Sequence, residues 1–339
     1  MISSGHFCAA PFTQLVLEHN GFVLPCGMLC NYKLGSVTNM SIQEIWNGEK
    51  LRTLRREFLS DEIKICANMI NLLQCNQCYA HLISHVVQEE IQTSAPKRLD
   101  VRLNGRCNLQ CIMCQVWNGP NGIYDSVGFW EKGPTEIFPQ LVEMCVLGGE
   151  PFIQNDTFRL IQEVSTVNTD CLWEFTTNAN WKLSDKIKNS LNLINIHYIA
   201  VSIDSLDPVV YPTIRISGNL DLALRTIDDL VDYRKERFLS GQGYFNLCMR
   251  MVVRTDNYRE IPEFIQYANQ RKIHPAFNFQ RYPPNLGGFV AAPNSLKKEA
   301  LSYLEDCFQT TQCVSLIPVL DQLKQLSIPT IGDQEIRHA

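Results

Sequence analysis

The chain is 339 residues long and 45% hydrophobic, with 30 basic against 35 acidic residues and a formal net charge of −5; that suffices for one or two well-buried domains, and the absence of a long basic run argues against a nucleic-acid partner. No stretch approaches the roughly 18 uninterrupted apolar residues of a membrane span, and the start, MISSGHFC, lacks the basic and apolar regions of a secretion signal. No membrane association is expected, and the fourteen cysteines, several closely spaced, read as metal or iron–sulfur ligands in a reducing cytoplasm rather than as disulfides.

Residues 1–92 hold Cys8, Cys26, Cys30, Cys66, Cys75 and Cys78 with little strand–helix alternation, and are expected to form a small metal-dependent module. Within it Ser41 and Glu44 read as a capping box. Ile45, Trp46, Leu51, Leu54 and Phe58 then recur at helical spacing, so one amphipathic helix is expected, with Lys50, Arg52, Arg55 and Arg56 on its solvated face. From about residue 97 short apolar runs alternate with helical stretches, the pattern of repeated βα units. Strands are expected at 98–104, 141–148, 172–178, 197–204, 245–253 and 275–281, and helices near 156–167, 184–192, 219–238 and 258–271. The helix between the first two strands is poorly marked. Tyr198–Val201 is apolar on both faces, as in a central parallel strand. The whole predicts an α/β fold, a partial (β/α)6 TIM-like barrel. A Pro/Gly-rich break at 282–292 precedes one helix near 294–309 and a polar tail. The expected domains are thus 1–92, 93–285 and 286–339.

The first barrel strand is followed by Cys107-Asn-Leu-Gln-Cys111-Ile-Met-Cys114, placed where α/β barrels carry their chemistry. Three thiolates can hold three irons of a cubane cluster and leave the fourth iron open. The triplet taken alone also suits a zinc site completed by a histidine, or an electron-transfer cluster completed by a further cysteine. After the second strand comes Gly148-Gly149-Glu150-Pro151, where glycines let backbone groups approach a ligand closely.

This triplet and the following GGEP segment resemble the radical S-adenosylmethionine superfamily. The resemblance implies that Cys107, Cys111 and Cys114 hold a [4Fe–4S] cluster whose open iron chelates S-adenosylmethionine, and that Gly148, Gly149, Glu150 and Pro151 bind its methionyl ammonium. By the same resemblance Thr177 and Asn178, ending the third strand, Ser202, ending the fourth, and Arg215 would contact the cofactor. Asp204 is the acid most suited to orient substrate or take up a proton, a helix cap being its competing role. The family's usual aromatic residue before the third cysteine is here Met113, with Trp117 close by.

Cys8, Gly21, Cys26, Cys75 and Cys78 are spaced like an amino-terminal SPASM or twitch module. This resemblance implies one auxiliary iron–sulfur cluster on Cys8, Cys26, Cys75 and Cys78, with Cys30 and Cys66 as spare thiols and zinc in the same thiolates as the alternative. Cys145, Cys171, Cys248, Cys307 and Cys313 have no ligand spacing and read as small core residues; His81 and His85 read as a packed or solvated pair. The implied function is a radical enzyme maturing a ribosomally synthesised peptide, fed by a reductant such as flavodoxin or ferredoxin and partnered by a separate leader-peptide-recognition protein. The alternatives are radical dehydrogenation or rearrangement of a small metabolite such as an aminosugar, and a non-catalytic iron–sulfur or zinc protein.

Overall fold

The computed structural model describes residues 7–67, 79–280 and 286–327. It divides into one unit of residues 1–107, 116–176 and 184–197, and a second of 108–115, 177–183 and 198–339. The first contains β1 (Gln14–Leu17), β2 (Phe22–Leu24), β3 (Gly35–Ser36), β4 (Arg98–Val101), β5 (Glu143–Val146) and β6 (Leu172–Thr177), in the order β3-β2-β1-β4-β5-β6. β1, β4, β5 and β6 run parallel; β2 and β3 are antiparallel additions. The register aligns Leu15, Leu99, Met144 and Trp173 in one row and Leu17, Val101, Val146 and Phe175 in the next, so this face is wholly apolar. Every residue of both rows is nearly or completely buried.

The second unit holds most of β7 (Asn195–Ser202), with β8 (Asn246–Val253) and β9 (His274–Phe279), again parallel. All six barrel strands expected from the sequence are therefore β4 to β9, and the fold class is α/β. The four expected helices are Asn155–Val167, Asp185–Leu191, Leu220–Leu239 and Ile261–Gln270. Two start on side-chain caps, Ser184 accepting from the Ile187 amide and Asn219 from the Leu222 amide.

Several expectations change. Residues 1–92 do contribute strands, and β1 lies beside β4 with Gln14 opposite Arg98, so the sheet runs on across the expected division at 92/93. These strands are two to four residues long and β1 is buried throughout, leaving no alternation to detect. The expected single helix after Ser41 is two, Ile42–Trp46 and Glu49–Ser60, because Asn47 closes the first and Gly48 caps the second. Arg55 is not on a solvated face: it is fully buried, donates to the carbonyls of Pro11 and Glu90, and lies 4.4 Å from the Trp46 ring. Between β4 and β5 the chain forms one short α-helix, Phe129–Lys132, leading into a wide turn at Gly133–Ile137 that contains Pro134, with short 3-10 turns before and after it. The helix near 294 runs Asn294–Thr311, and a second, Ile317–Ser327, occupies part of the expected polar tail. Cys171, Cys248 and Cys307 are buried, whereas Cys145 and Cys313 are only partly so. Among the described residues no helix is long and apolar enough to cross a membrane.

Candidate active site

Cys107, Cys111 and Cys114 lie on the loop after β4, each half-buried. In the second unit the loop is fixed by two backbone bonds, Gln110 N–H to Ile216 O and Ile112 N–H to Ile214 O, both 3.0 Å. This antiparallel bridge sets Cys111 directly opposite Arg215. The Arg215 Nη1 lies 3.9 Å from Cys111 Sγ and its Nη2 lies 2.9 Å from Asp204 Oδ2. Burial works against the Arg215 charge, but the Asp204 carboxylate and the Cys111 thiolate outweigh it and raise the guanidinium above its ordinary value. Its Nε–H meets no acceptor among the described residues.

Asp204 is fully buried at the end of β7. Oδ1 accepts from the Val252 amide at 2.9 Å and its backbone carbonyl accepts from Asn257 Nδ2 at 2.7 Å. Oδ1 is thus hydrogen-bonded, whereas Oδ2 is ion-paired to Arg215 without a well-directed hydrogen bond, which makes Asp204 a holder of Arg215. Thr177 and Asn178 are buried too. Asn178 Nδ2 donates to Asn108 Oδ1 at 2.9 Å, and Asn108 Nδ2 donates to Asn180 O at 2.6 Å, so they buttress the cysteine loop. Thr177 Oγ1 accepts from the Trp181 indole at 2.7 Å. Ser202 is half-buried and in register with Arg250.

In the first unit the glycine turn is tied to the chain just before the cysteines. Gly148 and Gly149 have φ of +90° and +57°. A Cβ at Gly149 would sit 2.2 Å from Arg106 O, and one at Gly148 would sit 2.6 Å from Arg102 Cβ. The Gln154 amide donates to Arg106 O at 2.8 Å and Gly148 O at 3.0 Å, while the Glu150 amide also donates to Arg106 O at 3.0 Å. Glu150 is fully buried and caps the turn Pro151–Ile153 through Phe152 N–H. Arg106 immediately precedes Cys107, so this stitching fixes the cradle beside the first thiol. Met113 is half-buried and Trp117 partly exposed.

Cys8, Cys26 and Cys66 line one small pocket together with Leu54, Phe58 and Tyr79. Cys75 and Cys78 lie outside the described residues, and Cys30 is exposed. No group of three His, Cys, Asp or Glu side chains among the described residues is arranged to hold a single metal ion. Of the histidine pair, His81 lies 3.0 Å from Glu143 and is half exposed.

One cluster escaped sequence reasoning. Arg98, buried at the start of β4, meets Asp100 at 2.7 Å, Glu174 at 2.7 Å, and Glu143. Burial pushes the Asp100 carboxyl up despite Arg98. Glu143 is pulled down: burial opposes its charge, but hydrogen bonds from His81 and Arg98 prevail. The available signal was the alternation of Arg98, Asp100 and Arg102 on one side of a strand that otherwise reads as core. Gln154, Asn108 and Arg106 carried no such signal, because their roles arise only in the folded loops.

Residues 8–79 match the SPASM family model, an iron–sulfur cluster-binding domain. The chain is 30% identical over 185 residues to GTP 3′,8-cyclase of Marinobacter nauticus, covering 51% of this chain and 50% of the relative. It is 24% identical over 188 residues to mycofactocin maturase MftC of Mycolicibacterium smegmatis, 54% of this chain and 44% of that one. Among solved structures, SuiB of Streptococcus suis bound to S-adenosylmethionine aligns over 88% of this chain and 70% of its own, with 15% identity and a TM-score of 0.47. The likenesses to the cyclase and the maturase, taken with the cysteine loop and the glycine cradle, support a radical S-adenosylmethionine protein. Residues 8–79 are similar to a SPASM-type auxiliary-cluster domain, and proteins of that kind carry a [4Fe–4S] cluster, S-adenosylmethionine and an auxiliary iron–sulfur cluster. The chain spans about half the length of the relatives it matches.

Proposed function

We propose that the protein cleaves S-adenosylmethionine reductively and uses the resulting radical to mature a ribosomally synthesised peptide. The observation that carries the reading is the juxtaposition, within the first unit, of a positive-φ glycine turn with the chain entering the cysteine triplet at Arg106. The donor set fits a site-differentiated cluster: three half-exposed thiols, and a glycine turn that closes onto Arg106 and Arg102 just ahead of them, where a side chain would not fit. When bound, the cluster and S-adenosylmethionine would supply a 5′-deoxyadenosyl radical that abstracts hydrogen from the substrate.

The chain's own residues bind and orient. Cys107, Cys111 and Cys114 would hold three irons, and the backbone acceptors of Gly148 to Glu150 would take the methionyl ammonium. Ser202 would contact the cofactor, whereas Thr177 and Asn178 would act chiefly by fixing the loop. Asp204 acts as a positioning residue through Arg215. Cys8, Cys26, Cys75 and Cys78 would hold the auxiliary cluster, a group that would supply one-electron transfer. A flavodoxin or ferredoxin would deliver the reducing electron, and a separate protein would present the leader peptide.

The match to the SPASM model and the likeness to a maturase support the peptide reading. The likeness to GTP 3′,8-cyclase supports a second, a small polar metabolite. After anaerobic reconstitution, dithionite and S-adenosylmethionine should yield 5′-deoxyadenosine and methionine, and Cys111→Ala should abolish both. An iron-replete protein that yields neither would refute the reading. Mass shifts on candidate precursor peptides, against none on aminosugars or nucleotides, would separate the two substrates.

A further inference from the structure

We propose that Arg215 raises the reduction potential of the cluster at Cys107, Cys111 and Cys114, and that Asp204, acting through Arg215, lowers it. This rests on the radical S-adenosylmethionine reading and adds the electrostatic control of that site. The backbone bridge at Gln110 and Ile112 sets Cys111 opposite Arg215, and one guanidinium nitrogen, Nη1, is aimed at Cys111 Sγ, 3.9 Å away. A second, Nη2, is bound to Asp204 at 2.9 Å, so the positive pole of the buried pair faces the thiolate. Arg215 is 6% exposed and Asp204 not at all, so water screens the pair weakly. The Nε–H, which meets no acceptor among the described residues, is a further donor available to a ligand on the cluster.

A cubane held by three thiolates gains one negative charge on reduction, and a nearby fixed cation stabilises that form more than the oxidised one. Removing the cation must therefore lower the potential. Neutralising its counter-ion must raise it, because the guanidinium then acts uncompensated. A role in packing alone has no reason to give opposite signs.

The test is redox-poised electron paramagnetic resonance on the full, reconstituted protein, following the reduced signal that responds to added S-adenosylmethionine, with iron content measured for each variant. Arg215→Gln should reduce the reduced-to-oxidised ratio at a fixed potential at least tenfold, a midpoint fall of about 59 mV for one electron. Asp204→Asn should increase the ratio at least threefold, and Arg215→Lys should stay within threefold of the parent. If Arg215→Gln does not retain iron, the rise in Asp204→Asn against an essentially unmoved Arg215→Lys decides the matter. Shifts of the same sign in Asp204→Asn and Arg215→Gln, or an unmoved midpoint in iron-replete Asp204→Asn, would overturn the proposal. A parent protein with no cofactor-responsive signal would instead overturn the radical reading itself.

Discussion

Replacing Gly149 with alanine should damage the cofactor cradle far more than the same change at Gly241. Both residues have positive φ, +57° and +76°, so each alanine would incur the left-handed conformational cost of about 1–2 kcal/mol. At Gly241 nothing lies within 4 Å of the added Cβ, and that cost is the whole effect. At Gly149 the Cβ would meet Arg106 O at 2.2 Å and Gln154 Nε2 at 2.5 Å, so the turn must separate from Arg106. The two hydrogen bonds that join them, from Gln154 Nε2 and the Glu150 backbone N–H to Arg106 O, would then be lost, at about 1 kcal/mol each. The sum for Gly149→Ala is about 3–4 kcal/mol, and at about 2 °C per kcal/mol for a chain of this size its melting temperature should fall by about 6–8 °C, against about 2–4 °C for Gly241→Ala. Equilibrium dialysis on the anaerobic holoprotein should show S-adenosylmethionine binding weakened at least tenfold in Gly149→Ala and unchanged in Gly241→Ala. Equal melting temperatures and equal affinities in the two variants would show that close approach at Gly149 has no part in the site.

Arg98→Met should leave Asp100, Glu143 and Glu174 without their shared buried cation and cost about 3–5 kcal/mol in denaturant unfolding, several times the loss from Arg159→Met, whose ion pair with Glu163 is largely exposed. Burial holds the His19 pKa below its ordinary 6.5, the Glu18 charge opposing and Arg102 assisting. The unfolded chain therefore takes up a proton before the folded one does, so stability is full above pH 6.5 and falls as pH drops through the folded value; His19→Gln should flatten that slope in denaturant titrations at successive pH values, and an unchanged slope would exclude His19 as its source. Cys8→Ala and Cys26→Ala should each lower bound iron by one cluster, whereas Cys66→Ala should not; an equal loss in Cys66→Ala would make it a ligand.

What was legible in the sequence was what depends on periodicity or fixed spacing. The six barrel strands, the four crossover helices and the cysteine triplet fall where pattern places them, because helix and strand each impose a period on buried residues. β1 was invisible because Gln14, Leu15, Val16 and Leu17 are all buried and the strand is too short to show a period. Arg55 was misjudged because helical spacing identifies a face without saying what packs on it; the carbonyls of Pro11 and Glu90, distant in sequence, turn that face inward. The same limit applies to Asp204. Its position at the end of a strand suggested a free carboxylate, and only the fold brings Val252 N–H and Arg215 to its two oxygens.

The two faces of the sheet explain why a parallel α/β core can carry charge here. In the first unit Leu15, Leu99, Met144 and Trp173 form an apolar row, while the intervening positions carry Gln14, Arg98 and Glu143, then Asp100, Cys145 and Glu174. In the second unit Ile199, Leu247, Val201 and Met249 share one face and Tyr198, Cys248, Ser202 and Arg250 the other. β7 is thus two-faced in spite of its apolar sequence, since Tyr198 and Ala200 stand among the polar set. Such a face is stable only if its charges satisfy one another, as Arg98 and its three carboxylates do. Three carboxylates face this one cation, and Glu143 is also within 3.0 Å of the half-exposed His81.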